Sequence, residues 1–134
     1  MNLGKHISLA KPRAKVSWSI AEKDLITLLA PTGAKQVVPG QLKSDCALAD
    51  GLSGECRFHF DASGRLRKVQ LERLVRRHRQ KAFDGWNSQL IAWLEVGTSP
   101  VKRSSTWYEW ALGKLNVVHI QHWDGRERVE ISRS

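Results

Sequence analysis

Cysteine is scarce in this chain: two in 134 residues, Cys46 and Cys56. Their spacing is not CxxC, which excludes a thioredoxin-like motif and a zinc ribbon. No apolar run approaches the roughly 20 residues of a membrane-spanning helix. Residues 1–15 are basic but hold no apolar segment of about 7–15 residues, so they do not read as a signal peptide. The expectation is a cytoplasmic protein with no membrane span, or a periplasmic one whose leader has been removed. Walker A, GxGxxG, HExxH and GxSxG sequences are all missing. Neither catalysis nor a cofactor is expected. His119 and His122 fall on opposite faces of a strand, so they cannot chelate one metal together. Acids are also few, 13 Asp and Glu against 22 Lys and Arg.

What is there is ordinary in kind. A hydrophobic fraction of 41% and a charged fraction of 26% suit a globular domain. The length suits one domain with a core of its own. We read residues 1–15 as a basic arm, loose at its start, and 16–134 as a single domain. The net charge of +9 favours acidic partners, a protein or a nucleic acid, or serves solubility alone.

The strongest local pattern is Glu55 to Arg73. Cys56, Phe58 and Phe60 alternate with Arg57, His59 and Asp61, the period of a half-buried strand. Asp61-Ala62-Ser63-Gly64 makes a turn, and Val69 and Leu71 share one face of the return strand. Upstream, Ser19-Ile20-Ala21-Glu22 is a capping-box pattern before Leu25, Leu28 and Leu29, with Pro31 and Gly33 ending the helix. Residues 34–54 read as a loop with a short strand at most. Phe83, Trp86, Leu90, Trp93 and Leu94 form one helical stripe, closed by Gly97 and Pro100. After a polar loop at 101–105 come strands at Thr106–Leu112, Leu115–Trp123 and Arg128–Ser132, with Asp124-Gly125 as the last hairpin turn.

Leu25 to Leu29 matches Leu90 to Leu94, and Gly64 to Arg73 resembles Gly125 to Arg133. Two helix-then-hairpin repeats, 19–73 and 83–133, are the expectation. The fold class is α+β: an antiparallel sheet of about five or more strands with two helices on one face. Trp86, Leu90, Trp93 and Leu94 should bury against Phe58, Phe60, Val69 and Val129.

Cys56 lies on the apolar face of its strand, and Cys46 is placed on a neighbouring strand beyond the turn-like Asp50 to Gly54. The two form a disulfide if the chain is exported, or remain two reduced, buried thiols. His59 and Asp61 share a strand face as a base–orienter pair or, more simply, as a solvated polar face.

The helix of Leu90 to Pro100, the Trp110 strand and the meander of Val117 to Ile131 carry a resemblance. They resemble the small α+β tandem-repeat domains of bacterial envelope proteins, of the β-lactamase-inhibitor-protein and outer-membrane-assembly lipoprotein types. The chain departs from them in having neither a leader nor a lipobox cysteine. The resemblance implies a protein-binding module of inhibitor or immunity type, without catalysis.

The candidate contact residues come from charge. Arg65, Arg67, Lys68, Arg73, Arg76, Arg77, Arg79 and Lys81 crowd together with a single acid, Glu72, among them. Arg76, Arg77, Arg79 and Lys81 stand at a strand–helix junction. Trp107 and Trp110 fall on opposite faces of their strand, so at most one of them belongs to the core and the other is a contact residue. The expected partner is an acidic protein. The alternative is a nucleic acid at the same surface, with Trp107, Tyr108, Trp110 and Trp123 as aromatics that could stack bases, although no RNP aromatic pair, KH-type GxxG loop or zinc finger occurs.

Overall fold

The computed structural model describes residues 3–95 and 99–133. Its chain order is β1 (His6–Leu9), β2 (Ala14–Ser17), α1 (Glu22–Leu28), β3 (Lys35–Val38), β4 (Gln41–Ala49), β5 (Leu52–Phe60), β6 (Leu66–Leu74), α2 (Arg79–Leu94), β7 (Lys102–Arg103), β8 (Trp107–Leu112), β9 (Leu115–Gln121) and β10 (Arg126–Arg133). The fold is α+β. Eight strands, β3 to β10, make one antiparallel sheet, and β1 and β2 make a separate hairpin.

The sheet order is β3-β4-β5-β6-β10-β9-β8-β7. Each helix is thus followed by a four-stranded meander, longer than the hairpin expected after it. The meanders meet through their last strands, β6 and β10. Gly64 and Gly125 hold matching places, each at positive φ in the turn that enters the last strand of its meander.

Period two decides the two faces. One inward row runs Ser44, Cys56, Leu71, Val129, His119 and Tyr108 across six strands. The next runs Leu42, Phe58, Val69, Ile131, Val117 and Trp110. The outward row between them, Lys43, Arg57, Gln70, Glu130, Val118 and Glu109, is mostly polar. Both helices cover the inward face. Leu25 and Leu29 join the same core as Trp86, Leu90, Trp93 and Leu94, which bury with Phe58, Val69 and Val129 while Phe60 packs at the margin.

Several local expectations are corrected. Residues 1–15 are not a loose arm: β1 and half of β2 lie there, Ile7 and Leu9 are buried, and a bridge from Lys11 to Ala47 docks the hairpin on β4. The Ser19 capping box does not form. Ala21 is the N-cap of α1, and the Glu22 carboxylate instead accepts from the Gly40 N–H and the Gln36 amide. Residues 34–54 contain two strands rather than a loop, because the inward positions of β4 include Ser44 and break the apolar alternation. Helix α2 starts at Arg79, so part of the basic run forms its first turn, and its last residue is followed by Glu95 in a left-handed conformation. Gly97, expected to close it, lies outside the described residues.

Candidate functional site

The basic junction between β6 and α2 sits at one end of the sheet. Arg76, Arg77, Arg79 and Lys81 are all exposed. Among the described residues Arg76, Arg77 and Lys81 have no ion-pair partner. The first turn of α2 holds no acid, so nothing there offsets these cations or the positive end of the helix dipole.

The β9–β10 turn lies against this junction. The Val75 N–H donates to the Gly125 carbonyl, and Arg79 Nη1 donates to the Trp123 carbonyl at 2.6 Å. Gln121 Nε2 donates to the Arg79 carbonyl at 3.0 Å. On the other side, Gln80 Nε2 donates to the Ser105 carbonyl at 3.1 Å, tying the helix to the β7–β8 loop. Three segments distant in sequence therefore form one surface.

Its aromatic member is not the one expected. Trp110 is 1% exposed, on the inward face opposite Val117. It belongs to the core and is withdrawn as a contact residue. Trp107 points outward, as alternation requires, with Lys102 Nζ 4.1 Å from its ring centroid and its indole N–H donating to Glu109. The large aromatic beside the basic run is Trp123, 91% exposed in the turn after β9. Trp123 is a candidate stacking aromatic in the sequence, but carrying the strand through it does not place it in a turn beside the basic run. The signal available was the Asp124-Gly125 pair directly after it, which places Trp123 at a hairpin tip. Arg126, paired with Asp124 at 2.9 Å, adds a further cation.

Behind this surface lies a buried polar chain that sequence reasoning missed. Glu127 and His119 have no exposed surface. Asn87 Nδ2 donates to His119 Nδ1 at 3.0 Å, which leaves the His119 Nε2–H to donate to Glu127 Oε2 at 2.5 Å. Arg73 closes the chain, its Nη2 2.8 Å from Glu127 Oε1 and donating also to the Ala82 carbonyl. The Arg73 guanidinium lies 3.9 Å over the Trp86 ring, and Phe83 stacks on His119 at 4.0 Å. Glu127 is enclosed and paired, and Arg73 reaches it from a partly exposed position, so the chain fixes α2 on the sheet. Arg73 and Trp86 also form the floor of a cleft of about 340 Å³ rimmed by Arg77, His78, Lys81 and Gln89.

The remaining candidates separate. His59 bonds to Gln41 and Gln70, whereas Asp61 accepts from Ser63, Arg65 and Arg67, so the two do not act as a pair. Among the described residues no three His, Cys, Asp or Glu side chains converge on a metal position. Cys46 and Cys56 are free, buried thiols on adjacent strands. No helix among the described residues is long and apolar enough to cross a membrane. Comparison with protein-family models, curated proteins and solved structures returned no match.

Proposed function

We propose that the chain is a non-catalytic binding module that engages an acidic protein through the sheet end formed by Arg76, Arg77, Arg79, Lys81 and Trp123. The observation that carries the reading is the fully presented Trp123 indole in the turn that Arg79 holds, with Arg76 and Arg77 exposed nearby in the chain and without ion-pair partners among the described residues. Tryptophan and arginine dominate interface energetics because each offers a large contact area and strong, directional polar contacts. The +9 net charge steers an acidic partner toward this end. A single-strand nucleic-acid platform wants successive stacking faces. Of the six tryptophans only Trp123 is fully presented, which favours the protein partner.

The test is the double variant Arg76→Glu and Arg77→Glu. Its fold should be nearly unchanged, since exposed charges contribute little to stability. Capture of the partner should weaken, and the salt dependence of capture should become shallower. Nuclease treatment should leave the wild-type complex intact. Loss of the complex on nuclease treatment would identify nucleic acid as the partner and overturn the protein reading. Wild-type affinity and salt dependence in the double variant would show that the run is only a solvated face.

A further inference from the structure

Cys46 and Cys56 stand together for a reason the register supplies. Ser44 is the β4 partner of Cys56, and Cys46 is the partner of Gly54 two residues earlier on β5. The two cysteines are therefore diagonal neighbours on the inward face. Opposite Cys46 there is no side chain, because the position is Gly54. A Cβ there would collide with the Glu72 carbonyl oxygen. The Glu72 carbonyl takes that place instead, and beside it Cys46 and Gly54 border an opening.

That opening is a cleft of about 570 Å³, and Cys46 lines it while Cys56 does not. Lys11 and Arg73 contribute positive charge to its wall, and Asp45, Glu55 and Glu72 negative charge. Around Cys46 the neighbours are donors. The Cys56 thiol, then the Ser44 and Thr32 hydroxyls, hold its pKa below the ordinary thiol value against burial and the Asp45 charge. Cys56 is pushed the other way, by the Cys46 thiol and by burial. The two thiols are unequal in position: Cys46 lines the cleft and Cys56 lies behind it.

We propose that Cys46 and Cys56 form a thiol–disulfide exchange site for a small aliphatic disulfide, with Cys46 attacking from the cleft and Cys56 resolving from behind. The Cys46 thiolate attacks one sulfur of the disulfide, forms a mixed disulfide and expels the other half as a thiolate. Cys56 then attacks Cys46 Sγ, giving up its proton to the second departing thiolate and closing the Cys46–Cys56 bond. The protein dithiol is oxidised by two electrons, and the small disulfide is reduced to two thiols. This site stands apart from the basic sheet end, and its chemistry does not depend on the binding reading.

Glutathione disulfide is the probe, added to the folded full chain and followed by intact mass. The wild type should lose two hydrogens and retain no adduct. Cys56→Ser should stop at a mixed disulfide located on Cys46, while Cys46→Ser takes up none in the same time. Circular dichroism on both variants shows that each is folded. If a variant fails to fold, the wild-type mass decides alone: two unchanged thiols under native conditions overturn the proposal. So does an adduct forming on Cys46→Ser as fast as on Cys56→Ser.

Discussion

Arg73 and Glu127 face each other across the seam between the two meanders, and the guanidinium closes on the carboxylate at 2.8 Å. Glu127 has no contact with solvent, so its charge is tolerable only because Arg73 and His119 both reach it. The pair is also a joint between layers, since Arg73 lies over Trp86 and bonds to Ala82 of α2. Removing the cation leaves a buried carboxylate without its counter-charge. Arg73→Met should therefore cost about 3 kcal/mol, the order seen when one partner of a buried ion pair is deleted. The urea midpoint should fall at an unchanged denaturant slope. Adding Glu127→Gln should recover part of the loss, because the buried charge goes and His119 keeps an acceptor. A double variant as unstable as the two single losses summed would show that the residues act independently.

The β5–β6 turn makes a pH-dependent contribution. Asp61 accepts from the Ser63 hydroxyl and N–H, from the Arg65 N–H and from Arg67, and these bonds lower its pKa from 3.8 to about 2. A carboxylate depressed on folding adds stability above its unfolded value, and that stability is lost as pH falls through the folded one. The wild type should thus lose stability between about pH 4 and pH 2 through this group. Asp61→Asn should be less stable than the wild type near neutrality, by a small amount because the site is exposed, and the two should converge toward pH 2. Parallel acid melts check this. A constant gap down to pH 2 would mean that the turn is held by its backbone alone.

Legibility in the sequence tracked how cleanly a single period governed each stretch. Phe83, Trp86, Leu90, Trp93 and Leu94 repeat at helical spacing with nothing to compete, and all five are buried on α2. Cys56 and Phe58 against Val69 and Leu71 define β5 and β6 and fix their register. Where an inward position is polar, the period is masked: Ser44 hides β4, and nothing local marks Glu127 as a core residue although it is fully buried. The alternation Leu115, Val117, His119 did place the histidine on the apolar face, but no local pattern could reveal that Asn87 and Glu127 would satisfy it. Strand β1 escaped notice because His6–Leu9 is only four residues long and depends on β4 for its place. The exposed cations were legible as a cluster, and Trp123 as an aromatic candidate. Their proximity was not, since Trp123 meets Arg79 through a turn contact between residues 44 apart in sequence.

Trp110 and Trp123 separate folding from recognition. Both are tryptophans of the second meander, but one is 1% exposed and the other 91%. Trp110 stacks near Tyr108 and packs in the row with Val117 and Ile131. Truncating a buried aromatic leaves a cavity as well as losing its transfer energy, so Trp110→Ala should cost about 3–5 kcal/mol. Trp123→Ala exposes nothing new, and its carbonyl can still accept from Arg79, so the melting temperature should barely move. Under the proposed binding role its effect falls on partner capture. If the indole anchors the acidic partner, truncation should weaken capture at least tenfold, a loss of about 1.4 kcal/mol, mainly through faster dissociation. Charge reversal at Arg76 and Arg77 should instead act mainly on association rate and its salt dependence. Measuring both variants by surface-binding kinetics distinguishes the anchor from the steering field. A Trp123→Ala protein with wild-type dissociation would remove the indole from the interface and leave the guanidiniums to act alone.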